Sequence, residues 1–161
     1  SIIKILNSED LLSVEKFIEI ELKEFNKFSK LGWGFKNIKS HFQKNNNFSI
    51  GYFYKNKIYG ILIGEKIINK TQFDLDVHIM FVSKMSRRNN IGSSILNFVE
   101  SEKNINNISK IYIEVSEKNT EAIKFYEKNN FVFFKFRHNY YKENNISINA
   151  KCYKKIIKYE W

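Results

Sequence analysis

The run "RRNNIGSSIL" sets Arg87, Arg88, Asn89 and Asn90 directly before Ile91, Gly92 and Ser93. Ile91, Ile95, Leu96 and Val99 recur at helical spacing, which predicts a helix over about residues 91 to 104 with one apolar face. The first turn of any helix presents backbone N–H groups without intrahelical partners and carries partial positive charge. Two arginines placed just before such a turn describe a site for an anion of phosphate type. A second chemical feature lies downstream in "KIYIEVS". There Ile111, Ile113 and Val115 alternate with Tyr112 and Glu114, so a strand presents a carboxylate opposite its apolar face.

Other phosphate-binding chemistries are excluded by inspection. The chain contains neither a Gly-x-x-x-x-Gly-Lys loop nor a Gly-x-Gly-x-x-Gly fingerprint. His41, His78 and His138 lack metal-ligand spacing, and no metal is expected. Cys152 is the single cysteine. It cannot close an internal disulfide, and with no histidine motif beside it, it is read as a packed, inert thiol rather than an acyl carrier.

These features require elements to position them. Apolar "IIKIL" opens the chain, and Ser8 is placed to cap a helix whose Leu11, Val14, Ile18, Leu22 and Phe25 share one face. "LGWGF" at 31 to 35 reads as a loop exposing Trp33, followed by a short helix to about Gln43. "FSIGYFYKNKIYGILIGEKI" reads as two strands turning at Lys55, Asn56 and Lys57, and residues 71 to 83 as a third. After the helix at 91 comes the Glu114 strand. Asn119 then caps a helix carrying Ala122, Phe125 and Tyr126, and two closing strands follow. The alternation predicts an α/β chain with a mixed sheet and helices on both faces.

The totals agree with one domain spanning residues 1–161: 43% of residues are hydrophobic and no Gly/Ser/Pro linker interrupts them. No apolar run reaches membrane-spanning length, and the opening residues lack signal-peptide regions, which implies a soluble cytoplasmic protein with no membrane partner. The formal charge of +10 invites a polyanion reading, but the lysines run from Lys4 to Lys158 and mark no single patch. Nucleic acid is therefore not expected as substrate. Oligomeric state is left open.

Order of elements and two motifs together resemble the GNAT superfamily of acetyl-CoA-dependent N-acetyltransferases. Arg87-Arg88-Asn89-Asn90-Ile91-Gly92 resembles that family's Gln/Arg-x-x-Gly-x-Gly/Ala loop, with Asn90 in place of the first glycine. "IEVSEKNTEAIKFYEKNNF" is similar to its strand, Asn cap and "Ala-Ile-x-Phe-Tyr-Glu-x-x-Gly-Phe" helix, with Asn130 in place of glycine. Asn is, after Gly, the residue most tolerant of left-handed backbone. With "RHNYY" at 137 to 141, the likeness is greatest to the protein N-terminal branch of RimI type, which acetylates the terminal alanine of a ribosomal protein.

The resemblance implies a mostly antiparallel mixed sheet in the acyl-CoA N-acyltransferase fold, with acetyl-CoA as co-substrate. It places the pantetheine arm along Met80, Phe81 and Val82 and the diphosphate between Arg87 and Ser93, with Asn119 as a further contact. Glu114 becomes the base for the acceptor amine and Tyr126 the donor to the coenzyme thiolate. Tyr140, Tyr141 and Trp33 become walls of the acceptor groove. The implied acceptor is a protein N-terminal α-amine, such as that of a ribosomal protein, attacked directly in a ternary complex. Two other readings are a small-amine acetyltransferase for polyamines or aminoglycosides, and a basic RNA- or ribosome-binding module without catalysis.

Overall fold

The computed structural model describes residues 1–21 and 35–157, so Leu22, Phe25 and Trp33 lie outside the described residues. Seven strands form a single sheet: β1 (Ile2–Leu6), β2 (Ser49–Tyr54), β3 (Lys57–Asn69), β4 (Gln72–Val82), β5 (Ile108–Ser116), β6 (Val132–Glu143) and β7 (Ile146–Ile156). Their order across the sheet is β1-β2-β3-β4-β5-β7-β6. Among the described residues only the β4–β5 pairing is parallel. Among the described residues four helices accompany it: α1 (Leu11–Ile20), α2 (Phe35–Phe42), α3 (Ile91–Asn106) and α4 (Thr120–Lys128). Element order agrees with the sequence reading throughout.

One correction concerns the entry to α1. Asn7, not Ser8, is the cap: its side chain accepts from the Glu9 N–H, and Asp10 returns a bond to the Asn7 N–H, forming a capping box around a short 3-10 turn. The reciprocal partner at Asp10 decides the position, because a Ser8 cap has no such acid in register.

Two apolar cores lie on opposite faces of the sheet. On one side α3 and α4 bury Ile91, Ile95, Val99 and Tyr126 against Leu75, Val77, Ile111 and Ile113. On the other, α1 and α2 bury Val14, Phe17, Ile38 and Phe42 against Ile61, Ile63, Ile79 and Phe81. A register shift opposite Ile63 and Gly64 inverts the facing of β4, so Val77 belongs to the first core and Ile79 to the second. Had β4 alternated regularly through His78, Ile79 and Phe81 would face the same core as Val77.

Both asparagines standing where glycine was expected adopt left-handed backbone, with φ 60° at Asn90 and φ 68° at Asn130. A Cβ-bearing residue pays roughly 1–2 kcal/mol in that region, less for Asn. Asn130→Ala is therefore expected to lower the urea midpoint by an amount corresponding to about 1 kcal/mol, while Asn130→Gly leaves it unchanged or raises it. Equal loss in both variants would show that the side chain, not the backbone conformation, matters there.

Candidate active site

The parallel β4–β5 pairing runs from Phe73↔Ile108 to Val77↔Ile113 and no further. Past that point β4 stays bonded to β3 as far as Val82↔Gly60, and β5 stays bonded to β7 as far as Ser116↔Ala150. Each strand is thus held on its outer side while the facing sides part. A cavity of about 720 Å³ occupies the opening. Glu114, Tyr126, Met80, Phe81, Val82, Arg87, Arg88, Asn90, Ile91, Gly92, Ser93, Asn119, Tyr140 and Tyr141 all line it. Asn89 does not line it.

One end of the cleft is built from the start of α3. Gly60 lets that helix approach closely, since a Cβ there would lie 2.6 Å from Ile91 Cγ2. Asn90 gives the helix no side-chain cap, so the opening N–H groups stay available to a ligand. Arg87 is anchored: its Nε donates to the Val82 carbonyl at 3.2 Å, and its guanidinium lies over the Phe81 ring at 5.2 Å. Arg88 is exposed. Across the cleft, the Asn119 side-chain oxygen caps α4 by accepting from the Ala122 N–H at 3.2 Å, which leaves its amide nitrogen for other contacts. Uncapped N–H groups, two guanidinium groups and an unpaired strand edge suit a ligand that is anionic at one end and amide-bearing along its length.

At the inner end, Glu114 Oε1 accepts from Arg137 Nη1 at 2.7 Å. That guanidinium also lies 4.4 Å from the Tyr140 ring centre. A bulge in β6 between Arg137 and Tyr141, with Asn139 at φ 54°, breaks strict alternation, so Tyr140 and Tyr141 both reach the cleft instead of facing opposite ways. Tyr126 is buried, with its ring between those of Phe125 and Phe131. Burial pushes the Tyr126 hydroxyl well above the ordinary tyrosine range, and the neighbouring Tyr141 adds to that. Tyr141 is likewise raised by burial and by the Glu114 charge.

Two residues of this end were not singled out in the sequence. Arg137 stands inside the quoted "RHNYY", but only the tertiary pairing with Glu114 distinguishes it from other surface cations. Asp76 lines the same cavity on β4, among His78, Glu114 and Glu65. Burial raises its carboxyl above the usual aspartate range, and the charges of Glu114 and Glu65 act in the same direction. The alternating polar positions of β4 were the available signal, but they do not say which acid meets another. Cys152 is buried and opposite Glu114 in register, and burial raises its thiol, as fits a packed cysteine. Among the described residues no group of three or more His, Cys, Asp or Glu is arranged to hold a metal.

Asp76 has a consequence for stability. With the folded-state value raised, the folded state binds more protons than the unfolded one between the ordinary value and the raised value. Stability therefore falls as pH rises through that window. Asp76→Asn is expected to match the parent's melting temperature below about pH 4 and to exceed it near pH 7, which a pair of thermal melts would read. A gap that does not change with pH would remove this account.

The sequence matches the acetyltransferase (GNAT) domain family over residues 13–148. Comparison with curated protein sequences gives no match. Similar solved structures include the ribosomal-protein-S18-alanine N-acetyltransferase of Escherichia coli, at 17% identity and TM-score 0.77, covering 99% of this chain and 96% of that one. Ard1 of Thermoplasma volcanium matches at 23% identity and TM-score 0.75, with 98% of each chain covered. NAA60 of Arabidopsis thaliana, solved in complex with acetyl-CoA, matches at 14% identity and TM-score 0.76, covering 97% of this chain and 98% of that one. Among the described residues no helix is long and apolar enough to cross a membrane. The parted strands and the helix that opens between them are thus those of a known enzyme fold, and this chain is an N-acetyltransferase belonging to the GNAT family.

Proposed function

We propose that this N-acetyltransferase transfers acetyl from acetyl-CoA to the α-amine of a protein N-terminus, with a ribosomal protein as the model acceptor. The observation that carries the reading is the single continuous cleft. Its outer end offers uncapped N–H groups and arginines, and its inner end gathers Glu114, Tyr126 and the tyrosine pair. The similarity to the Escherichia coli ribosomal-protein-S18-alanine N-acetyltransferase supports a protein acceptor.

Acetyl-CoA supplies a thioester as acyl donor. In this reading, the backbone from Arg88 to Ser93 holds its diphosphate, the β4 edge at Met80, Phe81 and Val82 pairs with the pantetheine amides, and Asn119 adds a contact. A peptide α-amine has a reference pKa near 8 and is largely protonated at neutral pH. Glu114 accepts the amine proton, directly or through one water, while Arg137 keeps its carboxylate oriented. Tyr126 retains its proton because of burial, so it acts on the departing sulfur as a hydrogen-bond donor. Complete transfer from so weak an acid to a thiolate would run uphill. Tyr140 and Tyr141 flank the incoming N-terminus.

Asp76 beside Glu114 favours a second reading, in which the acceptor is a small polycation such as a polyamine or aminoglycoside. Incubation of the protein with acetyl-CoA, peptides of varied N-termini, polyamines and aminoglycosides, followed by mass spectrometry, separates the two. Acetyl on peptide α-amines, with Ala or Ser preferred at the first position, is the expected result. Acetylation of small amines alone would move the acceptor to the second class.

A further inference from the structure

Ser83 is the residue at which the chain leaves β4 and turns toward the start of α3, and it is held from three sides. Its N–H donates to the Tyr59 carbonyl of β3 at 2.8 Å, and its carbonyl accepts from the Ser86 N–H at 2.9 Å. Its hydroxyl donates to Glu21 Oε1 at 2.5 Å, across 62 residues of sequence. Ser83 therefore does not cap the short 3-10 turn Lys84–Ser86 with its own side chain. Glu21 Oε2 instead accepts from the Lys84 N–H, at 3.4 Å. Both residues are buried, each 8% exposed.

Local rules oppose a carboxylate at Glu21. The residue closes α1, its N–H donating to the Phe17 carbonyl at 3.1 Å, and the negative pole of a helix disfavours an acid there. Burial adds to that cost, and a buried acid persists where donors meet it. Here both donors come from one dipeptide, Ser83-Lys84. An acid kept against two local rules points to a demand made elsewhere in the fold. That dipeptide joins the two parts of the cleft's outer end: Phe81 and Val82 line it just before, and Arg87, Arg88 and Asn90 just after. Arg87 is braced on the same stretch, through the Val82 carbonyl and the Phe81 ring, and Phe81 meets Phe17 of α1 edge-on at 5.9 Å. Glu21 and Ser83 themselves do not line the cavity.

We propose that Glu21 is a positioning residue for acetyl-CoA: by holding Ser83 and Lys84 from the end of α1, it keeps the β4 edge, Arg87 and the first N–H groups of α3 facing one ligand together. This rests on the placement of the coenzyme diphosphate along Arg88 to Ser93. Glu21 acts through Ser83 and not on the ligand. Released from Glu21, residues 84 to 90 gain other paths, and apparent affinity falls by the fraction of molecules that leave the competent one.

Calorimetry of acetyl-CoA with the full chain tests this without any acceptor. Ser83→Ala and Glu21→Leu are each expected to raise Kd about five- to tenfold, the scale on which residues remote from a ligand alter its binding. The double variant is expected to bind no more weakly than the worse single one, because both substitutions remove the same link. Glu21→Gln is the conservative variant. Its oxygen can accept from the Lys84 N–H while its amide donates to the Ser83 hydroxyl, so Kd is expected to stay within about twofold of the parent. Thermal melts separate folding from positioning. Lowered melting temperatures with a parental Kd in Ser83→Ala and Glu21→Leu would make the link merely structural and overturn the proposal, as would losses that multiply in the double variant. Arg88→Ala tests the placement of the diphosphate separately. If it weakens binding while Ser83→Ala and Glu21→Leu do not, the diphosphate stays where it is placed and Glu21 loses its role. If it binds as the parent does while those two weaken, Glu21 keeps its role and the diphosphate lies elsewhere.

Discussion

Glu114→Gln is expected to lower kcat for peptide acetylation by about 10²- to 10⁴-fold, the range typical of removing a positioned general base. The substitution is informative because it is nearly isosteric. A Gln side-chain oxygen can still accept from Arg137 Nη1, so the 2.7 Å contact survives and only the basic oxygen is lost. Acetyl-CoA affinity, measured by calorimetry, is expected to stay within about twofold of the parent, since uniform binding is untouched. The deficit also has a pH signature. Without a base the variant relies on amine that is already neutral, so the gap to the parent narrows as pH rises past about 8, the reference value of an α-amine. A constant deficit across pH would assign Glu114 a positioning role instead.

For Tyr126→Phe, a drop in kcat of about 10²-fold is expected, comparable to removing one preorganised donor from a site of developing negative charge. Folding should be unharmed. The ring remains packed between Phe125 and Phe131, and the hydroxyl makes no hydrogen bond to another described residue, so its removal breaks none there. If Tyr126 acts only as a hydrogen-bond donor, as its raised hydroxyl implies, the loss is independent of pH through the neutral range. Stopped-flow or steady-state turnover with an Ala-initiated peptide reads both quantities. Unaltered kcat in this variant and in Glu114→Gln would remove the mechanism altogether.

The elements were legible because local rules decide them. Ile91, Ile95, Leu96 and Val99 can share a face only on a helix, and Ile111, Ile113 and Val115 only on a strand, so α3 and β5 follow from spacing. The helix start at the outer end of the cleft was legible for the same reason. It consists of one contiguous run, Arg87 to Ser93, whose backbone N–H groups are freed by the helix start itself. Even the two substitutions at glycine positions were readable, because left-handed backbone is a property of the residue and its neighbours, and both asparagines adopt it.

The inner end was legible only in part. Glu114 and Tyr126 came from motif likeness, whereas Arg137 and Asp76 had no local mark. Their significance depends on strands that meet across the sheet: Glu114 lies on β5, Arg137 on β6 and Asp76 on β4. Alternation alone would also have sent Tyr140 and Tyr141 to opposite faces, and the bulge at Asn139 that reconciles them is a matter of register with β7.

The sequence by itself determined the order and type of the elements, the helix start after Asn90 and the family, all of which rest on near-neighbour spacing. The tertiary structure alone decided where β4 and β5 part, which carboxylate meets which cation, and that Tyr140 and Tyr141 both reach the cleft. Those outcomes depend on the register between strands far apart in the chain. One residue of slip changes the face of every side chain, so packing, and not spacing, settles them.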